Sequence, residues 1–536
     1  MVVQLGAGTR SLCMLIIMLW LTVAVLIAGL ETGTDQILPG PMSRSRDSIA
    51  IAESFLKEWK WNGFAAYREV LLKLDRGGLT LDTNLAKKNF GTTTYQSFLF
   101  RPDLVNAAIL AARQVEVTHP EQLWFVDGDD VGMASYFILA FAIFGHDVSS
   151  LYYLYVALLS VTVLAFCLQF WRHPDALILP VLCLIAIHSL VEITLVVEPD
   201  VNAIHSSRFI PILGFLGVFH ILLLSLYRFS LGIGSVLLCA LQALIVLFVI
   251  HCRFTGAWMV VYLLTFALAA VALRRLSTAP LRRSFFARHY GEGLKYWPFT
   301  VLAAMAVIGS LTIHALKHPT YTDTAVLNRH IFWQAFITVL HNNPNRTAVF
   351  GIEKTRMLDP RGDGLGFFLF ERHVKANGLN RADYVSHDSE RNRLVGIDYE
   401  WKSYDRILGK AFWKAVWKEP GYALASFLYY QPIDVLRTMA SLASRNVNVY
   451  FTTEHIVALL LISLLYRSSN TGLLWIAIGS FCLMSFVPTM AVAPNDLRLM
   501  EPLVMILITM MFVAVLGLAT TLENAAKVFL KVRPKQ

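Results

Sequence analysis

Ten near-continuous apolar runs divide this chain of 536 residues, at 11–29, 151–171, 174–197, 209–227, 232–251, 256–273, 296–316, 454–467, 472–492 and 498–520. A run of about 20 apolar residues has the length a helix needs to cross a hydrocarbon layer of roughly 30 Å. Inside that layer every backbone N–H and C=O must find a partner within the protein, which leaves a helical bundle as the natural fold for such a pattern. The composition agrees, with 56% hydrophobic and only 15% charged residues and a mean hydropathy of +0.55. The run at 454–467 is short, and the run at 174–197 carries polar residues. The first run is long for the apolar stretch of a secretory leader and reads as a retained helix. Cys13, Cys167, Cys183, Cys239, Cys252 and Cys482 all lie within or at the ends of apolar runs, so no disulfide framework is implied.

Charge in the short connections sets the expected orientation. The loop 274–295 holds Arg274, Arg275, Arg282, Arg283, Arg288 and Lys295 against Glu292, and the tail adds Lys527, Lys531, Arg533 and Lys535. Basic short loops face the cytoplasm. With ten crossings the tail and the connections bearing Arg172, Arg228 and Arg467 share that side, and two long polar segments fall on the other. The divisions are a first span at 1–29, an outer loop at 30–150, a bundle at 151–316, a second outer domain at 317–453, closing spans at 454–520 and a basic tail at 521–536. The net charge of +9 is thereby accounted for by topology, and no nucleic-acid partner is called for. The fold class is an all-α polytopic membrane protein of about ten transmembrane helices, with a mixed, mainly helical exoplasmic domain. Membrane lipids are its necessary neighbours, and a bacterial inner membrane is favoured over the endoplasmic reticulum.

The first outer loop opens with a stretch from Asp47 that alternates apolar and charged residues near helical period, with Trp59, Trp61 and Tyr67 suited to an interface. Residues 133–145 form an apolar helix too short to cross. Just before it stands Asp127-Gly128-Asp129-Asp130. Acids at helix starts ordinarily cap the helix and complement its dipole. At a membrane surface a carboxylate can also act as a general base or share a metal with a second acid, and spacing alone does not separate these roles.

A single span, the pattern Asp47, Ala52, Phe55 and Leu56, a second juxtamembrane helix led by Asp129-Asp130 and closed by Phe144-Gly145-His146, and then many spans together resemble the GT-C superfamily of integral-membrane glycosyltransferases. Asp496-Leu497-Arg498-Leu499-Met500-Glu501-Pro502 is similar to that family's R-Y-x-x-P element, with Leu499 where an aromatic is usual. The resemblance covers roughly residues 11–320 and 490–520 and singles out no subfamily. It implies transfer of a sugar from a polyprenyl-phosphate carrier to a lipid, glycan or protein acceptor on the exoplasmic side, with inversion. Asp47 would be the catalytic base, ahead of Glu31 and Asp35, and Asp129 or Asp130 would orient the acceptor or hold a divalent metal. No cofactor is certain, and a magnesium or manganese ion stays open.

A lipid-phosphate donor needs cations at headgroup level, where guanidinium binds phosphate oxygens in a bidentate manner. Arg208 and Arg498 are best placed, with His205 to assist and Arg253 as a weaker candidate; the same arginines could equally anchor helix ends. Inside the runs, His188 and Glu192 lie four residues apart and so share one helical face. Ionisable residues at that depth mark candidate sites, and a proton path through them would favour a transporter or flippase of a lipid-linked precursor. A non-catalytic scaffold of the same fold is a third reading. His220, among leucines, reads as a satisfied packing histidine.

In the second outer domain, 330–345 has helical periodicity, Gly362 to Gly366 reads as a turn, and 398–430 reads as helix broken at Pro420-Gly421. Its many aromatics are expected to pack rather than to bind. Asn345-Arg346-Thr347 forms an N-glycosylation sequon there.

Overall fold

A computed structural model of the chain describes residues 6–33, 131–145, 148–197, 210–276, 295–316, 330–351, 363–378, 387–388, 393–394, 401–445, 452–465, 477–481, 504–518 and 520–521. These are almost entirely helical. The exception is one antiparallel pair, β1 (His387–Asp388) with β2 (Arg393–Leu394).

The bundle is built from α1 (Ala7–Gly33), α2 (Val131–Phe144), α3 (Val148–Phe170), α4 (Ile178–Val197), α5 (Gly214–Leu226), α6 (Ile233–Cys252), α7 (Trp258–Leu276) and α8 (Trp297–Leu316). Along α1 the buried residues are Met14, Ile17, Met18, Leu21, Val25 and Ala28, while Leu12, Ile16, Leu19, Val23 and Ile27 are exposed at the same helical spacing. A helix that presents an apolar row both to its neighbours and to its surroundings is matched to lipid rather than to water. Among the described residues three segments are long and apolar enough to cross a membrane: Ala7–Gly29, Ser150–Phe170 and Ile233–Cys252. The remaining apolar helices are shorter in their described parts, among them Ile178–Glu192, Ile210–Leu226 and Val504–Leu518.

Helix α5 lies at the centre and is buried at every position. Side-chain hydrogen bonds tie the layers around it: Gln242 on α6 donates to the Thr162 carbonyl at 2.8 Å, and Gln169 on α3 donates to Ser235 at 3.2 Å. At one end Ser11 donates to the Trp171 carbonyl at 2.6 Å, joining the start of α1 to the end of α3. At the other end the Tyr152 hydroxyl, in the first turn of α3, donates to the Val25 carbonyl near the close of α1.

Helix α2 is a short apolar helix, as expected. Its Met133, Tyr136, Phe137, Ala140 and Phe141 are buried, and the Tyr136 hydroxyl donates to the Leu151 carbonyl at 2.6 Å. Two glycines explain its limits. A Cβ at Gly132 would come within 2.5 Å of the Cys252 amide nitrogen, so only glycine lets α2 start against the end of α6. Gly145 takes φ 93°, a left-handed C-cap, which stops α2 after Phe144 and lets α3 begin three residues on.

A second core belongs to α9 (His330–His341), α10 (Arg346–Phe350), α11 (Asp363–Ala376), α12 (Trp401–Lys418) and α13 (Pro420–Ala425). Ile337, Leu340, Leu365, Leu369, Tyr404, Leu408 and Phe412 meet in it. The break at Pro420-Gly421 is found as expected, with Pro420 opening α13. Residues 363–366 correct the turn reading: they are the first turn of α11. Leu365 is buried in the domain core and the Tyr404 hydroxyl would lie only 2.8 Å from a Cβ at Gly366, so tertiary packing overrides the local turn propensity. Most aromatics here pack, as expected, although Trp413, Trp417 and Tyr429 are exposed.

From α13 the chain passes through a π-turn, Ser426–Tyr430, into α14 (Gln431–Arg445), and then into α15 (Thr453–Leu465). This rod joins the two cores: Tyr422 and Ala423 belong to the polar domain, whereas Val435 and Met439 are seated in the bundle core. Beyond this rod, α15 packs against α4 and α1. The five described cysteines, Cys13, Cys167, Cys183, Cys239 and Cys252, are free thiols.

Candidate functional site between α4 and α15

Asp47, Asp129, Asp130, His205, Arg208 and Arg498 all lie outside the described residues, as does Asp35. Glu31 falls in the last turn of α1, and Arg253 caps the C-terminus of α6. What the structure does bring together is the second constellation. His188 on α4 and Glu192 one turn later approach to 4.0 Å between Nε2 and Oε1, on the shared face their spacing implied.

His188 also meets a residue that sequence reasoning passed over. Its Nδ1 lies 2.9 Å from Nε2 of His455, in the first turn of α15, and the two rings stand edge to face at 86°. His188 is 5% exposed and His455 fully buried. The backbone N–H of Thr452 donates to His455 Nδ1 at 3.2 Å, which makes that nitrogen an acceptor. With both rings neutral the remaining protons are then assigned in turn. His455 Nε2–H donates to His188 Nδ1, and His188 Nε2–H points toward Glu192. The result is a directional chain from the Thr452 amide through two imidazoles to a carboxylate that is 34% exposed.

Other charges border this chain. Glu454 is within electrostatic range of both histidines, and Glu192 is within range of the Tyr152 hydroxyl. Adding a proton to the pair would force two N–H groups to face each other at His455 Nε2 or at the Thr452 contact, so charging the pair requires rearranging the start of α15. The signal that could have found His455 is the sequence Thr452-Thr453-Glu454-His455, a polar cluster at the N-terminal edge of an apolar run.

His220 corrects an expectation. It is packed, edge-on to Phe166 and Phe170 at 5.5 and 5.3 Å, but neither ring nitrogen has a hydrogen-bond partner among the described residues. Among those residues no three His, Cys, Asp or Glu side chains form a set that could hold a metal ion.

The polar domain carries its own polar junction. Asn343 Nδ2 donates to Ser426 Oγ at 2.9 Å and to the Tyr422 carbonyl at 3.2 Å, and Asn342 Nδ2 donates to Gln431 at 3.1 Å. The turn after α9 thus grips the π-turn from both ends. Tyr422 donates to the Leu340 carbonyl, and burial pushes its phenol well above the ordinary range.

Comparison with protein-family models, curated proteins and solved structures found no match to this chain.

Proposed function

We propose that the protein is a glycosyltransferase of the membrane surface, moving a sugar from a polyprenyl-phosphate carrier to a lipid, glycan or protein acceptor on the exoplasmic side. The observation that carries this reading is where the bundle's ionisable groups gather. His188, from the middle of α4, meets Glu192 and the His455 of the opening turn of α15, with Glu454 in electrostatic range, and α15 directly follows the polar domain in the chain. A donor anchored in lipid presents its headgroup where such a polar domain meets an apolar bundle. The resemblance of the Asp47 and Asp129-Asp130 stretches to the GT-C pattern supplies the reaction class, and fold alone would not.

In this reading the apolar helices cross together as ten passes with the basic loops in the cytoplasm. Asp47 accepts the proton of the acceptor hydroxyl as its oxygen attacks the anomeric carbon, and polyprenyl phosphate departs with the bonding pair. Asp129 or Asp130 orients the acceptor, and Arg208 and Arg498, helped by His205, hold the phosphate. The test is purified protein with a panel of polyprenyl-phosphate sugars, comparing wild type with Asp47→Asn for sugar transfer. Equal transfer by both would remove Asp47 as the base, and no transfer from any donor would remove the activity.

One observation favours a second reading, transport or flipping of a lipid-linked precursor. The contacts of His455 with His188 and of His188 with Glu192 set two imidazoles and a carboxylate in line, as a proton path would. Proteoliposomes loaded with a pH-sensitive dye separate the two: proton flux driven by the precursor and lost in His188→Gln supports transport.

A further inference from the structure

Where α9 ends at His341 the chain turns through Asn342 and Asn343 into α10, beside the π-turn and the first turns of α14. A cavity of about 340 Å³ opens at this junction, lined by His341, Asn342, Arg346, Tyr430, Asp434 and Arg437. Arg346 lines this space and spends its Nη1 on the His341 carbonyl at 3.0 Å, and the guanidinium fork has further N–H groups to offer a ligand. Arg437 is exposed and stands on α14 one turn after Asp434. The Asp434 carboxylate is engaged by Asn342 Nδ2 at 3.3 Å, and burial raises it above its ordinary range against the pull of Arg437.

Two permanent cations thus share a polar hollow with a single carboxylate already committed to an amide. We infer that this cavity binds an oxyanion of the phosphate class, with Arg346 and Arg437 on its oxygens and Asn342 and Tyr430 on hydroxyls of the group that carries it. Guanidinium forks match the geometry of phosphate and hold it through charge-assisted hydrogen bonds. The position fits a headgroup. Val435 and Met439, on the same helix as Asp434 and Arg437, are seated in the bundle core, which puts the cavity within about 10 Å, one helix diameter, of the bundle. A free phosphate and a phosphorylated lipid headgroup present the same chemistry to these side chains. The inference does not depend on sugar transfer.

The experiment uses the full chain in phosphatidylcholine nanodiscs. One arm titrates inorganic pyrophosphate by calorimetry, and the other measures retention of polyprenyl phosphate by native mass spectrometry. Wild type is expected to bind in at least one arm. Pyrophosphate binding identifies the free anion as sufficient, and binding in the lipid arm alone identifies a headgroup. Arg437→Gln is expected to weaken binding roughly tenfold or more, Arg437→Lys to restore part of it, and Asp434→Asn to tighten it. A gain of affinity in Asp434→Asn cannot arise from misfolding, which keeps the test decisive if Arg346→Gln folds poorly. Wild-type binding by Arg437→Gln, tighter binding of glucuronate than of pyrophosphate, or no binding in either arm would overturn the assignment. Binding that persists in a protein unable to transfer any sugar would instead count only against the proposed activity.

Discussion

His188 Nδ1 and His455 Nε2 lie 2.9 Å apart across 267 positions of sequence, and that contact joins the middle of α4 to the opening turn of α15. Both rings are buried, so removing either one leaves a polar nitrogen of the other without this partner. His455→Ala and His188→Ala should each cost about 1–3 kcal/mol of stability. Their double mutant should lose less than the sum, as expected for residues in direct contact. Thermal unfolding in detergent measures all three, and strict additivity would show that the pair contributes no coupling.

Gly132 and Gly145 should respond differently to the same change. Alanine at Gly132 drives a methyl into the backbone at the end of α6 and should destabilise by about 1–3 kcal/mol. At Gly145 nothing lies within 4 Å of an added Cβ, so the cost is conformational and about 1 kcal/mol. Asparagine, which visits the left-handed region, should be tolerated at 145 better than valine. Melting temperatures of the four variants would check the ranking.

Acid should loosen the opposite end of the bundle through His173. This ring, in the connection between α3 and α4, packs edge-on against Tyr227 and Phe229 at 5.2 and 5.3 Å. Burial lowers its pKa from 6.5, with Asp175 opposing in part. The unfolded chain therefore binds more protons near this pH than the folded one. The stabilising contribution is complete above about pH 6.5 and is lost as pH falls toward the depressed folded value. His173→Phe should shrink the drop in melting temperature between about pH 7.5 and about pH 5.5. An unchanged drop would place the acid sensitivity elsewhere.

If Arg208 and Arg498 hold the donor phosphate, replacing either by glutamine should raise the donor KM by roughly tenfold or more while kcat changes less. Steady-state kinetics with a polyprenyl-phosphate sugar gives the split. A loss confined to kcat would instead put these arginines at the reacting centre.

The helical segments were legible because apolar runs are long and their ends are marked. Pro420 opens α13 where it was expected, and Phe144-Gly145 closes α2. The spacing of His188 and Glu192 gave their shared face, since four residues make about one turn. What His455 contacts was not legible. Its partner lies on a distant helix, and no local pattern encodes a contact across 267 positions. The first turn of α11 failed for a related reason: Asp363 to Gly366 has turn composition, and only the burial of Leu365 and the fit of Tyr404 over Gly366 make it helix. The cavity between Arg346 and Arg437 was invisible because its walls come from segments 91 positions apart that meet only when the Asn342-Asn343 turn grips the π-turn.

That π-turn, Ser426–Tyr430, works as a phase setting along one continuous rod. One end of the rod is clamped in the polar domain by Tyr422 and Ala423, and the other in the bundle by Val435 and Met439. Deleting a single residue between the clamps would rotate everything beyond it by about 100°. Val435 and Met439 would swing out of the bundle while the polar domain stayed intact. The angular offset between the two halves of the molecule is thus stored in five residues, Ser426 to Tyr430, and insertions or deletions there should be far more damaging than substitutions.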